Sequence, residues 1–312
     1  MMMKNSAKVQ GLRTEYGSSA VICNQSSVLG PQSAERGFTL VEMIMVIVIT
    51  GIIGGMVAVF LKAPIQQYMD VGRRTDMTDI ADTALRRIGR DLRLALPNSV
   101  RVTGTCNGSA TCFIEFLPTK DGGRYRDALA ATSPFGNPLD FTNAADTSFD
   151  VLGPSVNAIA GDFLVIYNLG IPSAGGCASS SPGADAYQGC NRRTIVSGGS
   201  TMTFTATSLP FPFDSPSHRF QVITTPVSYV CDPVGGTLTR YWGYPIQPSQ
   251  PSAVPIAGAT WATLAKNVSS CSFSYSPNVV AQRSGLVTMN LGITESGETV
   301  TMYSATHVSN VP

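Results

Sequence analysis

The feature that most constrains this chain is an apolar run at residues 38–61, 24 residues with one ionisable group, Glu42, near its start. A helix rises about 1.5 Å per residue, so the run can cross the roughly 30 Å hydrocarbon core of a bilayer. Arg36 closes it at one end and Lys62 at the other. Hydropathy alone describes a single-pass anchor. Glu42 asks for more, because a carboxylate in a membrane segment costs about 2.5–3.5 kcal/mol on insertion scales and marks function or a partner. Glu42 lies four residues after Phe38, so the two share a helix face only if the helix begins at Phe38 itself. A cut after Gly37 would make Phe38 a free ammonium, and Glu42 could pair with that group or with a neighbouring subunit's. A lone anchor has no use for such a pair. A subunit that polymerises through its apolar helix does.

The string Arg36-Gly37-Phe38-Thr39-Leu40-Val41-Glu42, followed by an apolar helix, resembles the type IV prepilin leader of type IV pilins and type II secretion pseudopilins. The resemblance implies that a prepilin peptidase cuts between Gly37 and Phe38 and N-methylates Phe38. It also implies that Glu42 registers subunits during assembly. The leader, residues 1–37, is set apart from fold reasoning. It carries Lys4, Lys8, Arg13 and Arg36 against Glu15 and Glu35, a net positive charge that favours the cytoplasmic side. A Sec-type signal is cut after its apolar segment, whereas here the cut precedes the helix and the helix is retained. The leader is longer than most of its kind, and a shorter one would need a non-ATG start, since no Met lies between Met3 and Met43.

Removing 37 of 312 residues leaves 275, enough for one large domain or one domain with insertions. The whole-chain charge of +1, less the leader's +2, leaves about −1 and gives no reason to expect nucleic-acid binding. Charged residues are only 13% of the chain, while Gly, Pro, Ser and Thr are abundant, which reads as a loop-rich β domain outside the cytoplasm. Cys23 falls in the leader, and six cysteines remain: Cys106, Cys112, Cys177, Cys190, Cys231 and Cys271. An even count in that setting points to disulfides, with 15 pairings open. Proximity favours Cys106–Cys112 and Cys177–Cys190, leaving Cys231–Cys271 to tie two strands. Without C-x-x-C, and with His218 and His307 the sole histidines, no metal or cofactor is expected. No G-x-S-x-G, H-E-x-x-H or Walker string occurs, so no catalytic residue is assigned.

Gly51 and Gly55 form a G-x-x-x-G within the apolar run, a spacing that lets helices approach closely. Gly is also common in membrane helices, and the stretch 51–55 could instead be where the helix loosens. Pro64 should kink or interrupt the helix. Over 70–96 an amphipathic helix is predicted, with Met77, Ile80, Ala84, Ile88, Leu92 and Ala95 on one apolar face. Asp76, Asp79 and Asp82 load its first turns, and Arg86, Arg87, Arg90 and Arg93 its last, as the helix dipole favours. This reads as a solvated face with ion pairs one turn apart. Pro97-Asn98 should end it. Strands are then expected at 111–117, 162–168, 194–196, 201–207, 219–230, 237–244, 264–275, 286–293 and 298–307. A turn is expected at Asp121-Gly122-Gly123, preferred over a Ca²⁺ site there with Asp127, and another at Glu295-Ser296-Gly297. Residues 128–160 read as a long excursion and 172–189 as a disulfide-closed loop.

Residues 83–101, TALRRIGRDLRLALPNSVR, and the terminal HVSNVP at 307–312 are similar to the MshO family, minor pilin-like proteins of the mannose-sensitive haemagglutinin (MSHA) pilus. The resemblance implies an α+β pilin-like fold, with a long N-terminal helix packing its second half on an antiparallel β-rich head. The expected organisation is a removed leader at 1–37, a membrane helix at 38–61, its amphipathic continuation at 62–97, and a periplasmic head at 98–312. The implied partners are prepilin peptidase, other minor and major pilins, an inner-membrane assembly platform, and the membrane before extraction. The implied function is a minor structural subunit in pilus biogenesis, in the inner membrane and then the pilus. The alternatives are a type II secretion pseudopilin, or a tip adhesin that binds a ligand through its loops.

Overall fold

The computed structural model describes residues 37–179, 181–280 and 284–312. Expectations for residues 1–36, including Arg36 and Cys23, lie outside the described residues. The chain divides into two compact units, one ending at Leu61 and one running from Lys62 to Pro312. The first contributes the apolar start of helix α1 (Leu40–Leu92), long and apolar enough to cross a membrane. Pro64 lies inside the helix and does not end it, so the expected interruption is absent. No helical break falls at Gly51 through Gly55 either.

In the second unit, α1 buries Met77, Ala81, Ala84, Leu85, Ile88 and Leu92. These recur at steps of three and four residues, as a helix face requires. Ile80 is not among them: the buried stripe runs through Ala81 and Leu85, which turns Ile80 to the rim. The helix also stops before the predicted end. Leu94 and Ala95 take tighter bonds to Asp91 and Leu92, and Leu96 then bonds to Leu117 at 2.7 Å.

The helix packs on two antiparallel sheets. One has the order β1-β2-β9-β10-β11: β1 (Arg101–Gly104), β2 (Cys112–Phe116), β9 (Val227–Asp232), β10 (Thr237–Trp242) and β11 (Thr260–Lys266). The other is β12 (Val268–Val280), β13 (Ser284–Glu295) and β14 (Glu298–Ser309). Their shared core with α1 includes Ile114, Phe116, Tyr229, Leu238, Phe273, Met289 and Leu291. One predicted strand over 264–275 is thus two, broken at Asn267, whose φ of 57° turns the chain. The predicted 219–230 strand likewise splits at Pro226, which cannot donate to a ladder. Ser296 and Gly297, at φ 52° and 84°, make the two-residue turn between β13 and β14, where Glu295 faces Glu298.

Between β2 and β9 the chain builds a second lobe on a six-stranded antiparallel sheet, order β3-β8-β5-β6-β7-β4. Its strands are β3 (Thr119–Arg124), β4 (Ser148–Asp150), β5 (Phe163–Ile166), β6 (Arg192–Ser197), β7 (Thr201–Phe204) and β8 (Arg219–Ile223). Asp121-Gly122-Gly123 is not the expected turn but part of β3. A Cβ at Gly122 would lie 2.9 Å from the Phe220 oxygen, and one at Gly123 3.0 Å from the Phe220 ring. Glycine here serves close approach to β8. Tyr125, Phe149, Phe204, Phe211 and Phe220 fill the lobe's core.

The cysteines pair as Cys106–Cys112, Cys177–Cys190 and Cys231–Cys271, with Cα separations of 5.0, 5.1 and 6.4 Å. All lie within the range a disulfide spans. Cys231–Cys271 joins β9 to β12, and so ties the two sheets under the helix.

The head also buries charge. Glu115 is fully enclosed on β2. Its Oε1 accepts from Arg101 Nη2 at 2.8 Å and its Oε2 from Ser228 Oγ at 3.4 Å. Arg101 lies 3.5 Å from the Tyr187 ring centroid. Burial raises the Glu115 pKa above the ordinary 4.5, against the pull of Arg101. The native state therefore holds this proton more tightly than the unfolded chain does, and stability from this group falls as pH rises above that ordinary value. Arg101→Met is expected to destabilise the protein by about 3–5 kcal/mol at neutral pH. Thermal melts of the detergent-held full chain at pH 5 and pH 8 should show the larger loss at pH 8, where the unfolded chain ionises Glu115 freely and the folded one must bury an unpaired charge or keep the proton.

Candidate processing and assembly site

The site is the start of α1. Gly37, Phe38 and Thr39 precede the helix, and Phe38 is 83% exposed. Thr39 is the N-cap: its Oγ1 accepts from the Glu42 amide at 3.2 Å, and its carbonyl accepts from Met43 N at 3.1 Å. Thr39-Leu40-Val41-Glu42 is thus a T-x-x-E string at a helix N-terminus, a capping signal that marks the helix start at Leu40, two residues after Phe38. The helix begins at Leu40, so Phe38 and Glu42 do not share a helix face in the uncut chain, and the condition set for that pairing is not met.

Glu42 occupies the first helical turn, where the dipole favours a negative charge. Its side chain is exposed, and among the described residues its carboxylate has no hydrogen-bond or ion-pair partner. The Thr50 hydroxyl, by contrast, is satisfied within the helix, donating to the Val46 oxygen at 2.6 Å. Glu42 is therefore the polar group of this segment that calls for a partner from outside.

Gly51 and Gly55 are also exposed, and a Cβ at either would meet nothing within 4 Å. Their flat surface is open for an approaching helix.

At its other end α1 is pinned to the head. Asp91 accepts from Tyr229 OH at 2.7 Å and from Arg240 Nε at 3.0 Å, and pairs with Arg87 at 3.3 Å. Burial and that carboxylate push the Tyr229 hydroxyl's pKa well up. Asn98, at φ 58°, donates to the oxygens of Asn168 and Asn310, which anchors the chain terminus beside the helix end. The two stretches that carry the MshO-family resemblance thus meet here. The Arg-rich turns are divided: Arg86 pairs with Asp82 and Arg87 with Asp91, whereas Arg90 and Arg93 have no ion pair among the described residues.

The excursion at 128–160 and the disulfide-closed loop at 172–189 come together. Phe141 from the first, Cys177, Ala178, Ser179 and Pro182 from the second, and Leu209 to Pro212 line a cavity of about 280 Å³. Among the described residues, no group of His, Cys, Asp or Glu is arranged to hold a metal, and Asp127 pairs with His218 at 3.5 Å.

A long apolar N-terminal helix on an antiparallel β-rich head is the α+β architecture of a pilin-like fold. The family model for the prokaryotic N-terminal methylation motif matches residues 32–58, the segment that holds Gly37, Phe38, Glu42 and both helix-face glycines. No curated protein and no solved structure matches the chain. The motif supports a type IV pilin or pseudopilin-like subunit, a structural protein processed by prepilin peptidase and assembled with other pilins. With one apolar N-terminal helix, it fits a membrane-anchored, single-pass subunit.

Losing the N-cap should loosen the start of the helix without touching the head. Thr39→Val is expected to cost about 1 kcal/mol locally. Hydrogen exchange at the Glu42 amide should then speed up about fivefold, with exchange in β9 and β13 unchanged.

Proposed function

We propose that this chain is a minor pilin-like subunit of an MSHA-type type IV pilus, held in the inner membrane and then carried into the filament. Prepilin peptidase cuts between Gly37 and Phe38 and methylates the new amine of Phe38. Glu42 then pairs with a neighbour's Phe38 ammonium, and Gly51 and Gly55 let the helices close together. Leader, membrane helix, amphipathic continuation and head follow the boundaries 1–37, 38–61, 62–97 and 98–312. The supporting observation is the unpartnered Glu42 carboxylate in the first turn of a bilayer-length helix, inside the matched methylation motif.

The inserted lobe between β2 and β9 makes the head bulky, which suits a subunit at a filament end, where nothing stacks above it. Priming or capping assembly is the role proposed, with adhesion as its consequence. Gene deletion should remove piliation and adhesion; unchanged pili would overturn this. Glu42→Ala should stay in the membrane but fall about tenfold or more in sheared pili, the scale of a lost charge-assisted bond. Recovery in pili at the unaltered level would remove Glu42 from assembly.

A second reading, a tip adhesin, is favoured by the cavity that joins the loops of Phe141 and Pro182 under the Cys177–Cys190 disulfide. Its apolar and aromatic lining suits the face of a sugar ring. Full-length protein in detergent should bind surface glycans on an array, and Phe141→Ala should lower that binding while leaving the melting temperature within a few degrees. Equal binding by both would set this reading aside.

A further inference from the structure

The helix face that meets the head has its first buried side chain at Met77. The same face runs back towards the apolar run through Arg73, Asp70 and Gln66, at steps of four, three and four residues. There the stripe turns polar. Gln66, Asp70 and Arg73 line one side of an open cleft of about 550 Å³, and Ser296, Gly297 and Glu298, at the β13–β14 turn, line the other. The cleft lies wholly within the second unit.

Arg73 Nη2 donates to Asp70 Oδ1, and Glu298 Oε1 accepts from Arg74 Nη2 at 3.1 Å. Their other atoms are left over: Arg73 Nε and Glu298 Oε2 are buried with no hydrogen-bond partner among the described residues. Although both side chains line the cleft, they form no ion pair with each other. Each orphaned atom has lost its water without compensation. One is a donor and the other an acceptor, so a single ligand with an anionic oxygen and an N–H cation would satisfy both. Glu295 faces Glu298 across the hairpin, which further favours a cation on that side.

The place in the chain says where such a ligand comes from. Gln66 is four residues past Lys62, about 6 Å of helix rise, and the polar layer of a bilayer is about 5–7 Å deep on each side. Arg73 stands seven residues further, and its side chain leans towards the helix N-terminus, back to that layer. Ile65 and Met69 are exposed at the same level and offer apolar surface below the cleft.

We propose that this cleft binds the headgroup of phosphatidylethanolamine, which rests on residues 38–61 being a membrane segment. Rotation of the two side chains brings Arg73 Nε to the phosphate and Glu298 Oε2 to the ammonium. Phosphatidylglycerol offers the phosphate alone, and the quaternary nitrogen of phosphatidylcholine has no N–H for Glu298. The seated lipid ties this end of the head to the bilayer before extraction, and a subunit entering a filament gives it up.

The test holds the full-length protein in detergent micelles with equal amounts of the three lipids and counts bound lipid by native mass spectrometry. Phosphatidylethanolamine should lead each of the others by about tenfold, the scale of one charge-assisted hydrogen bond. Glu298→Gln should abolish that lead and leave phosphatidylglycerol binding unchanged, whereas Arg73→Met should lower all three. Arg74→Gln breaks the same exposed ion pair as Glu298→Gln but spares the cleft, so it should keep the lead; its loss there would mark a loosened hairpin and no site. Equal occupancy by the three lipids, or a lead that survives both cleft variants, would overturn the proposal. So would binding of soluble phosphoethanolamine with no lipid bound. Release of the chain from membranes by salt washes without detergent would instead mark failure of the membrane reading, and the lipid site would fall with it.

Discussion

A carboxylate at the start of a bilayer-length apolar helix needs a cation, and Glu42 has none among the described residues. Thr39 satisfies the Glu42 amide and leaves its side-chain oxygens free. Desolvating that group costs about 2.5–3.5 kcal/mol on insertion scales, which a partner inside the membrane offsets. The pairing proposed for Phe38 and Glu42 supplies it from the neighbouring chain. Assembly then relieves a cost that the isolated subunit carries, and a subunit built this way is driven towards its neighbours by its own first turn.

Within the second unit, the rest of the chain holds the latter part of that helix against a large head. Small Ala81 and Ala84 let α1 sit close on the sheets, and Asp91 locks its last turns to Tyr229 and Arg240. The Cys231–Cys271 disulfide joins the two sheets it rests on. The six-stranded lobe enters between neighbouring strands β2 and β9, so it enlarges the head without breaking the sheet under the helix. Where it joins the rest, the buried Arg101–Glu115 pair is fixed by hydrogen bonds and by the Tyr187 ring. A buried pair of this kind is weak evidence of stability, but its one-to-one geometry suits a junction that has to form in a single way.

Local signals carried much of this in the sequence. The apolar run, the leader-like string and the polar-apolar period after Asp70 are each continuous in sequence, so the helix was legible. So were the strands at 111–117, 286–293 and 298–307. Within the lobe, the strands at 162–168, 194–196 and 201–207 and the one beginning at 219 were legible too; their assembly into one sheet was not, because it pairs across long separations, β3 with β8 and β4 with β7. Gly122 and Gly123 looked like a turn, since nothing local tells a glycine that bends the chain from one that lets Phe220 approach. Ile80 fits the period of the apolar face as well as Ala81 does, and only the sheets beneath decide between them. The Thr39 cap was legible as T-x-x-E. The meeting of Phe141 with Pro182 was not, as it depends on how two loops fold over one sheet.

The pairing proposed for Glu42 depends on a charge created by cleavage at Gly37. Mass analysis of the N-terminus of membrane-extracted protein, with and without prepilin peptidase, tests it most directly. The expected result is an N-methylated Phe38 when the peptidase is present and an intact leader when it is absent. An intact leader in both samples, or a cut at another position, would contradict it and return residues 38–61 to a plain membrane anchor.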